Sequence, residues 1–414
     1  MKVIIIGNGA AGISAARTIS SINRDVNIAI ISKDRESAYS LCALPYVISR
    51  ELPRKYTARF DKDFYKKLKI QSILGSAVCK IIPEKKSVIL QNGKLFYYDK
   101  LLIATGASPV APRIEGLDKK GVFFLDTLQN TQKIMDYIKK SRVKKAIVIG
   151  AGFTGIESAL ALKKQGIEVV IVEMLDRILA RILDKEMADE AMKLLVLNDS
   201  GADVSGVEVK LGVRVQKITG EKNVSGVRLD DNKLMTCDLV LVSIGVKPNL
   251  ALLDGSGIKV NQGVEVDEYL QTNRSGIYAA GDAVETRDYL TGERSINAIW
   301  PNAIEQGRVA GLNMIEQSII YEGADSINVL NMAGRLIISM GRLISNNQPD
   351  LEIISFRNQK SFRKVMLHNN TIVGFESIGP LRHHGFIWSC IKKKADISKI
   401  RDKILRDNFK PLTE

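Results

Sequence analysis

The strongest candidate for redox chemistry is a single cysteine, Cys42, in the segment Ser40–Tyr46, which reads SLCALPY. The segment follows a predicted strand and is itself predicted to begin a helix. A thiol in the first turn of a helix feels the positive end of the helix dipole, which lowers its pKa and favours the reactive thiolate. A lone cysteine on an apolar segment is more often inert packing. Its chemistry therefore depends on whether the chain also provides a source of electrons.

A glycine-rich loop near the start of the chain predicts such a source. The apolar strand Lys2–Ile6 runs directly into the sequence GNGAAG, and a helix is predicted over Ile13–Ser20. In a GxGxxG loop the first glycine permits the tight turn, the second lets the backbone approach a pyrophosphate, and the third lets helix and strand pack closely. The N–H groups that begin the helix bind phosphates. The predicted dinucleotide-binding residues here are Gly7, Gly9, Ala10, Ala11 and Gly12.

Other strand ends of this first module are predicted to contact the same ligand. The strand Val26–Ile31 ends at Ser32-Lys33, where an acid usually holds the ribose, and Ser32 can still hydrogen-bond a ribose. A strand that ends in Thr105-Gly106 would let the chain pass close to a bound dinucleotide. A later strand ends in Gly-Asp, and its Asp282 could hydrogen-bond a polyol. A strand over Ile73–Ile82, with Val78 at its centre, and a basic helix over Phe60–Lys69 are also predicted.

A second glycine loop repeats the arrangement of the first. The strand Ala146–Ile149 runs into GAGFTG, residues 150–155, and a helix is predicted over Ile156–Gln165. The next strand ends at Glu173, at the spacing expected for a carboxylate that binds the 2′-hydroxyl of adenosine. A 2′-phosphate would be repelled there, so NADH is favoured as the cofactor. The nearby Arg177 and Arg181 could bind such a phosphate, so NADPH stays an alternative.

The two loops belong to an internal repeat. The first glycine of each loop and the glycine at which the chain leaves the module are separated by nearly equal lengths, from Gly7 to Gly106 and from Gly150 to Gly245. Each module also contains a predicted strand hairpin. Repetition at this scale predicts two copies of one nucleotide-binding unit, and hence two nucleotides.

Composition sets the class of protein. The chain has 414 residues, 45% hydrophobic content and a net charge of +14, which is typical of a globular protein with two or three domains. Its lysines and arginines are spread along the chain without an aromatic-interleaved stripe, so no nucleic-acid partner is expected. Four scattered cysteines predict no metal site and indicate a reducing compartment. No run of about 18 apolar residues is present, so a cytoplasmic protein without a transmembrane segment is expected.

After Tyr321 the pattern changes to strands. Five are predicted, over Ile327–Leu330, Leu336–Met340, Ile353–Arg357, Phe362–Leu367 and Thr371–Glu376, followed by one terminal helix. The terminal stretch from Phe386 to Lys410 is basic and carries apolar residues, which would suit a membrane surface or, more commonly, a dimer interface. This part of the chain contains no nucleotide motif.

With these motifs in this order, the sequence resembles the FAD-dependent pyridine nucleotide–disulfide oxidoreductases. It is most similar to their single-cysteine branch, which includes coenzyme A disulfide reductase, NADH oxidase, NADH peroxidase and persulfide reductase. The resemblance covers residues 1 to about 320, and the tail more loosely. Residues 42–46 match the CxLPY element of the family, which implies that Cys42 is its redox-active cysteine.

The resemblance implies an α/β protein with two Rossmann-like, three-layer dinucleotide-binding domains and a C-terminal α+β dimerisation domain. The implied boundaries are 1–112 with 246–320 for FAD, 113–245 for NAD(P)H and 321–414 for the homodimer. The implied FAD contacts are Gly7, Gly9, Ala10, Ala11, Gly12, Ser32, Lys33, Val78, Thr105, Gly106, Asp282 and Ala298. The implied NAD(P)H contacts are Gly150, Gly152, Phe153, Thr154, Gly155, Glu157, Glu173 and Gly245. Within these sets Asp282 would hold the flavin ribityl, Phe153 would gate the flavin and Glu157 would hold the nicotinamide amide.

Several differences from the single-cysteine branch disfavour particular activities and substrates. Cys42 has no partner at CxxxxC spacing, and Ala10 stands where the peroxidase has a histidine, which disfavours a peroxidase. Leu41 precedes the cysteine where coenzyme A disulfide reductases usually have asparagine. No tyrosine follows Tyr321, although those reductases bring tyrosines from the partner's C-terminal domain. Both differences disfavour coenzyme A as the substrate.

The expected activity is an NAD(P)H oxidoreductase that passes hydride to FAD and onward through Cys42 to a small-molecule disulfide, persulfide or sulfur species, or to oxygen. The cysteine would then form a mixed disulfide, a persulfide or a sulfenic acid. One alternative is an electron-transfer reductase for a small acceptor protein such as rubredoxin, recruited by the basic surface. The other is a redox-sensing flavoprotein with little turnover.

Overall fold

The computed structural model describes residues 1–57, 63–196, 206–343, 350–380 and 383–410. Its α-helices are α1 Ala10–Ile22, α2 Leu44–Ile48, α3 Phe64–Lys67, α4 Leu128–Ser141, α5 Phe153–Lys164, α6 Lys185–Val196, α7 Trp300–Met314 and α8 His384–Lys393. Short 3₁₀ turns occupy Leu41–Ala43, Arg54–Tyr56, Pro83–Lys85 and Ala251–Leu253.

The described residues also form 26 strands. In chain order they are β1 Lys2–Ile6, β2 Asn27–Ser32, β3 Ile70–Leu74, β4 Val78–Ile82, β5 Ser87–Leu90, β6 Leu95–Tyr97, β7 Lys100–Ile103, β8 Ala107–Pro109, β9 Val122–Phe124, β10 Lys145–Ile149, β11 Glu168–Val172, β12 Glu208–Lys210, β13 Val215–Thr219, β14 Gly226–Leu229, β15 Leu234–Thr236, β16 Leu239–Val242, β17 Val246–Pro248, β18 Val264–Glu265, β19 Ile277–Ala279, β20 Val284–Arg287, β21 Arg294–Ser295, β22 Ile327–Met332, β23 Arg335–Gly341, β24 Glu352–Arg357, β25 Phe362–His368 and β26 Thr371–Gly379.

The described residues form two compact units. The first unit is built from Met1–Leu44, Leu52–Pro109 and Val246–Asp325. The second is built from Pro45–Glu51, Val110–Gly245 and Ser326–Glu414. The second unit thus contains the predicted NAD(P)H-binding domain and all of the predicted C-terminal domain from residue 326 onward, and the division into three domains stays a prediction.

A five-stranded parallel sheet forms the centre of the first unit. Its order is β19-β7-β1-β2-β3, and β1 pairs in parallel with β2 and β7. The strand β1 is an apolar run in which four of five residues are buried, as expected of a strand covered on both faces. Its residue Ile6 is level with Ile31 and Ile103, so all these strands end at one edge.

The helices α1 and α7 pack against each other at close range in this unit. A Cβ placed on Gly307 would lie 2.2 Å from the carbonyl oxygen of Ala11, and one on Gly311 would lie 2.9 Å from that of Ala15. The Ser14 hydroxyl on α1 donates to the Ile304 carbonyl on α7 at 2.6 Å. Small residues on both faces therefore allow the two backbones to approach.

A second five-stranded parallel sheet, in the order β12-β11-β10-β16-β9, lies in the second unit. Its register repeats that of the first sheet. The amide of Gly7 donates to the carbonyl of Ile31 at 2.8 Å, and the amide of Gly150 donates to that of Val172 at 2.9 Å. Each unit also has a three-stranded antiparallel sheet, β4-β5-β6 and β13-β14-β15. The predicted internal repeat is therefore present in the backbone, and the α/β fold class is confirmed.

The two segments at which the modules end pair with each other. In the first unit β8 pairs antiparallel with β17. The side chain of Asn249 donates to the carbonyl of Thr105 at 2.9 Å and accepts from the Ser108 hydroxyl at 2.7 Å. The two segments with similar exit sequences thus form a pair of antiparallel strands.

The C-terminal sheet confirms the five predicted strands. It is antiparallel, in the order β22-β23-β26-β25-β24. Lys364 on β25 forms ion pairs with Asp184 at 2.5 Å and with Glu186 at 2.6 Å. The fully buried carboxylate of Glu376 on β26 accepts from the amide of Asp184 at 3.1 Å. These contacts attach the C-terminal sheet to the start of α6 within the second unit.

Three element predictions differ from the structure. The strand predicted over Ile73–Ile82 is two strands, because Gly75 has a φ of +70° and its amide donates to the carbonyl of Asp34 at 2.9 Å. Val78 therefore begins β4 and is not central. In the terminal stretch Phe386–Lys410, where one helix is expected, α8 ends at Lys393, because Lys394 is left-handed with a φ of 48°.

The third difference concerns the basic helix predicted over Phe60–Lys69. It appears as the short helix α3, whose end is followed by Lys69 with a left-handed φ of 52°. Residues 60–62 of this prediction lie outside the described ranges. Among the residues that the structure describes, no helix has the length and apolarity needed to cross a bilayer.

The surroundings of Gly307 on α7 and of Gly385 on α8 predict opposite effects for their substitution by alanine. We expect G307A to lower the free energy of unfolding by about 2 kcal/mol or more, because the new Cβ overlaps a backbone carbonyl. G385A in α8 has open space within 4 Å and should raise the free energy of unfolding by about 0.5–1 kcal/mol. Denaturant titration of both variants measures the difference, and equal stabilities would contradict this view of the contact.

Candidate functional site

The carboxyl edge of the first sheet gathers most of the residues predicted to bind FAD. The loop Gly7–Gly12 follows β1, Ser32 ends β2, Thr105 follows β7 and Asp282 follows β19. Because these strands are parallel and in register, their ends meet at one edge, which is where open α/β sheets bind ligands.

The glycines of the first loop show a cradle suited to a pyrophosphate. A Cβ on Gly7 would lie 2.0 Å from the carbonyl oxygen of Ala104, and one on Gly12 would lie 2.1 Å from that of Gly7. A Cβ on Gly9 would meet nothing within 4 Å. The first and third glycines are therefore required by packing, while the second leaves its backbone open to a ligand, and Ala10 and Ala11 begin α1 at that point.

The second loop has the same geometry. A Cβ on Gly150 would lie 2.2 Å from the carbonyl oxygen of Ser243, and one on Gly155 would lie 2.1 Å from that of Gly150, whereas one on Gly152 would meet nothing. Phe153 and Thr154 then open α5. Both modules therefore present an open backbone at a helix start, as expected for a phosphate group.

The ribose positions of the two modules are equivalent in register. Ile31 and Val172 accept the corresponding bonds from the loop glycines, which makes Ser32 the counterpart of Glu173. The Ser32 hydroxyl accepts from the amide of Asp34 at 3.1 Å. Lys33 is exposed. Val78 lies close by in sequence, two residues after Ser76, whose amide donates to the Ser32 carbonyl at 2.8 Å.

Glu173 is held by backbone amides at the edge of the second sheet. One carboxylate oxygen accepts from the amide of Ala151 at 2.7 Å and the other from that of Leu175 at 2.9 Å. Each oxygen keeps a lone pair for a ribose hydroxyl. Arg177 pairs with Asp176 at 2.9 Å and donates to the carbonyl of Ala180 at 3.3 Å. Its guanidinium is thus already hydrogen-bonded, while Arg181 is exposed.

Two carboxyl groups of the candidate sites are desolvated. Burial raises the pKa of Asp282, whose turn is fixed by a 2.7 Å bond from the amide of Gly281 to the side chain of Gln306. Burial also raises the pKa of Glu157, on α5, to about 7. At neutral pH the Glu157 carboxyl is therefore divided between a form that donates a hydrogen bond and a form that only accepts.

The remaining predicted contacts lie in loops. Ala298 is half-buried in the loop before α7. The hydroxyl of Thr105 donates to the carbonyl of Asn249 at 3.1 Å, and the carbonyl of Gly106 accepts from the amide of Asn249 at 2.9 Å. The residue Gly245 follows β16, and a Cβ placed on it would meet nothing within 4 Å.

Cys42 lies in the 3₁₀ turn Leu41–Ala43 and is exposed, as is Cys79. Cys237 and Cys390 are buried, and burial raises the pKa of Cys390 and raises that of Cys237 to about 12. All four lie in the described ranges, and none forms a disulfide. The lowered pKa expected for the Cys42 thiol stays a prediction.

Sequence reasoning missed two residues that join the first glycine loop to the chain that precedes the cysteine segment. The hydroxyl of Tyr65 donates to the Asn8 side chain at 2.9 Å and accepts from the amide of Ala38 at 3.0 Å. Asn8 in turn donates to the carbonyl of Glu36 at 3.3 Å. Asn8 lies inside the GxGxxG loop, but its type gives no signal of this bond, since Tyr65 is distant in sequence.

A cavity of about 330 Å³ lies between exposed faces of α1 and α7. Its wall includes Ser14, Arg17 and Arg308, and also Ala38 and Tyr39, which directly precede the cysteine segment. The cavity is therefore large enough for a small organic substrate and has cationic side chains in its wall.

Comparison with known proteins agrees with this geometry. The pyridine nucleotide-disulphide oxidoreductase family matches residues 1–307 of the chain. The chain belongs to this family. It is an NAD(P)H-dependent flavoprotein oxidoreductase, and FAD and NAD(P)H are its cofactors, as expected.

Three proteins that are similar to this chain carry different names. An NADH oxidase of Methanocaldococcus jannaschii is 37% identical over 321 residues, covering 76% of this chain and 70% of the relative. The epsilon subunit of an NADH-dependent phenylglyoxylate dehydrogenase from Aromatoleum evansii is 30% identical over 411 residues, covering 98% and 94%. The structure of an NAD-dependent persulfide reductase from A. fulgidus has a TM-score of 0.88 at 29% identity, covering 97% of this chain and 78% of that one.

The glycine geometry predicts that ligand binding and folding can be separated in the second module. We expect G152A to leave the melting temperature unchanged and to weaken NADH binding by about tenfold, because the Cβ would occupy the approach path of the pyrophosphate. NADH titration by fluorescence measures the affinity. In G9A, the matched change in the first loop, flavin retention should fall while NADH affinity is kept. If G152A bound NADH with the affinity of wild type, the loop Gly150–Gly155 would not be the binding site of the pyrophosphate.

The raised pKa of Glu157 predicts a pH-dependent stability. The folded state holds this proton more tightly than the unfolded state, so its contribution is complete below the unfolded pKa of 4.5 and is lost as the pH rises through about 7. Wild type should therefore lose about 1–3 kcal/mol relative to E157Q between about pH 5 and about pH 8. Urea denaturation of the two proteins at both pH values measures this difference. If the free energies of unfolding of wild type and E157Q changed equally with pH, burial of Glu157 would not raise its pKa.

Proposed function

We propose that this flavoprotein transfers electrons from NADH by way of FAD to a small sulfur acceptor, a disulfide or a persulfide, with Cys42 as the redox-active thiol. The observation that carries the proposal is the exposed Cys42, in the unit whose sheet edge gathers the predicted FAD contacts. The similarity to an NAD-dependent persulfide reductase supports this class of acceptor.

The residues of this chain take distinct parts in the proposed reaction. The two loops Gly7–Gly12 and Gly150–Gly155 bind pyrophosphates through backbone amides, and Glu173 binds the adenosine ribose, which favours NADH. Glu157 holds the nicotinamide amide. When bound, FAD supplies the two-electron chemistry by which electrons pass from the nucleotide to the sulfur. The Cys42 thiolate attacks one sulfur of the acceptor and releases the other as a thiol, which leaves a mixed disulfide on Cys42 for reduction.

The acceptor is proposed to enter through the cavity between α1 and α7. Ala38 and Tyr39 line this cavity, and they directly precede the segment that carries Cys42. The arginines Arg17 and Arg308 in its wall suit an acceptor with negatively charged groups. Arg308 is oriented by two bonds to Glu305, at 2.6 and 2.8 Å.

The similarity over full length to a dehydrogenase subunit supports a second candidate function. The epsilon subunit from Aromatoleum evansii and this chain cover nearly the whole of each other. In that case the protein would exchange electrons with a partner protein, and the net charge of +14 would favour an acidic one. Oxygen is a third acceptor, supported by the similarity to an NADH oxidase.

A homodimer built by residues 321–414 and a cytoplasmic location are also proposed. The C-terminal sheet carries no nucleotide motif, and its edge strand β22 exposes Val329. The backbone groups of an edge strand can pair with another chain. Light scattering of the purified protein measures the oligomeric state, and a monomer would exclude this part of the proposal.

Replacement of the two exposed thiols tests the function directly. We expect C42S to lose NADH-driven reduction of a disulfide or polysulfide by roughly two orders of magnitude or more, because the attacking thiolate is gone. C79S, also exposed but on β4, should match wild type. An anaerobic NADH titration should give a long-wavelength charge-transfer absorption in wild type and in C79S only.

The same pair distinguishes the acceptors. Full sulfur-reductase turnover in C42S would exclude the cysteine mechanism. Turnover with oxygen that survives in C42S would assign oxygen to the flavin alone. Activity only with an added acidic redox protein, falling steeply with salt, would favour the electron-transfer function instead.

A further inference from the structure

Four polar residues tie the chain that follows Cys42 to the end of α5. They are Ser49, Glu51, Lys164 and Gln165, and we call them the Glu51 cluster. One Glu51 carboxylate oxygen forms an ion pair with the Lys164 ammonium group, and the other accepts from the Ser49 hydroxyl at 2.7 Å. The side chain of Gln165 donates to the Ser49 carbonyl at 3.2 Å.

The energy of this cluster is small, but its geometry is specific. The hydrogen bond from Lys164 holds the pKa of the Glu51 carboxyl below its usual value, with the Ser49 hydroxyl contributing. The side chains of Lys164 and Glu51 are 31% and 47% exposed, and an ion pair this exposed contributes little to the stability of the fold. One oxygen of the Glu51 carboxylate and the carbonyl of Ser49 are nevertheless both bonded to the end of a single helix, α5.

The cluster acts on the chain that continues directly from the cysteine. The 3₁₀ turn Leu41–Ala43 passes into α2 without an intervening residue, and α2 ends at Ile48. Arg50 then adopts a left-handed φ of 63°, a conformation that is strained for a residue other than glycine. This turn brings the side chain of Glu51 to Lys164.

The other side of the cluster belongs to the helix that carries Glu157. A cavity of about 280 Å³ in the second unit is lined by residues of Pro45–Glu51 and of α5, together with Asn331, Ala333 and Gly334. The α5 residues are Glu157, Leu160, Ala161 and Lys164, whose spacing places them on one face. The Glu51–Lys164 pair thus lies on the same helix face as Glu157.

We propose that the Glu51 cluster is a positioning device, which fixes Pro45–Glu51 against the face of α5 that carries Glu157. The chain that begins three residues after Cys42 is thereby held to the helix of the second glycine loop. The inference rests on the proposed function, in which Cys42 passes electrons that arrive from NADH. Glu51 and Lys164 are positioning residues and contact no reacting atom.

The test uses E51Q, K164M and the reversed pair E51K/K164E in the flavin-loaded protein. We expect K164M and E51Q to lower kcat with a disulfide acceptor by about tenfold, because a small misplacement of a reacting group has an effect of this size. KM for NADH and the flavin content should stay unchanged. The reversed pair should restore much of the lost turnover.

Two further readouts separate positioning from stability. In K164M the charge-transfer absorption after NADH reduction should weaken, and alkylation of Cys42 by iodoacetamide should become faster. The control is K145M, which removes the Lys145–Glu168 pair, 2.5 Å long and also in the second unit, between β10 and β11. It should leave kcat, the absorption and the alkylation rate unchanged.

Wild-type turnover and alkylation in K164M, an equal loss in K145M, or no recovery in the reversed pair would overturn the proposal. Its failure is distinct from that of the proposed function. If C42S keeps its sulfur-reductase turnover, the function fails. If C42S is inactive while K164M is fully active, only the positioning role fails.

Discussion

The contact of one backbone with another at the glycine loops is the constraint on which both nucleotide modules depend. At the third glycine of each loop a Cβ would lie 2.1 Å from the carbonyl oxygen of the first, between Gly12 and Gly7 and between Gly155 and Gly150. No side chain can be accommodated there without moving a strand or a helix. The loop is thereby pressed against the sheet, and the second glycine is left facing open space. The binding surface in each module is thus made of backbone, and its shape follows from packing.

The parallel sheets then determine where charge can be placed. Their strands are apolar and buried, so polar side chains collect where the strands end, at a single edge of each sheet. Glu173 is stabilised there by two backbone amides. Asp282 and Glu157 have no such compensation among the hydrogen bonds of the described residues, and burial raises the pKa of both. The same fold therefore provides a carboxylate held by backbone amides at the predicted ribose position and a carboxyl with a raised pKa on the helix that follows the second loop.

Polar contacts between residues that are far apart in sequence hold segments of each unit together. In the first, Tyr65 links Asn8 of the glycine loop to the chain that leads to Cys42. In the second, Lys364 and Glu376 of the C-terminal sheet bind the chain that enters α6, and the Glu51 cluster binds Pro45–Glu51 to α5. Single hydrogen bonds of this kind contribute little energy. They fix geometry, however, and redox partners must be aligned within contact distance to react.

The sequence by itself determined the parts that depend on local pattern. Apolar runs ending in GxGxxG predicted both modules, and the order of strands and glycines predicted the repeat, because turn geometry and strand burial are decided within a few residues. Only the tertiary structure decided which distant side chains meet. The break of Ile73–Ile82 into two strands, the bond from Tyr65 to Asn8, and the assignment of Pro45–Glu51 to the second unit each depend on partners remote in sequence. Such partners leave no periodic signal in a single chain, since their contacts form only after the sheets have paired.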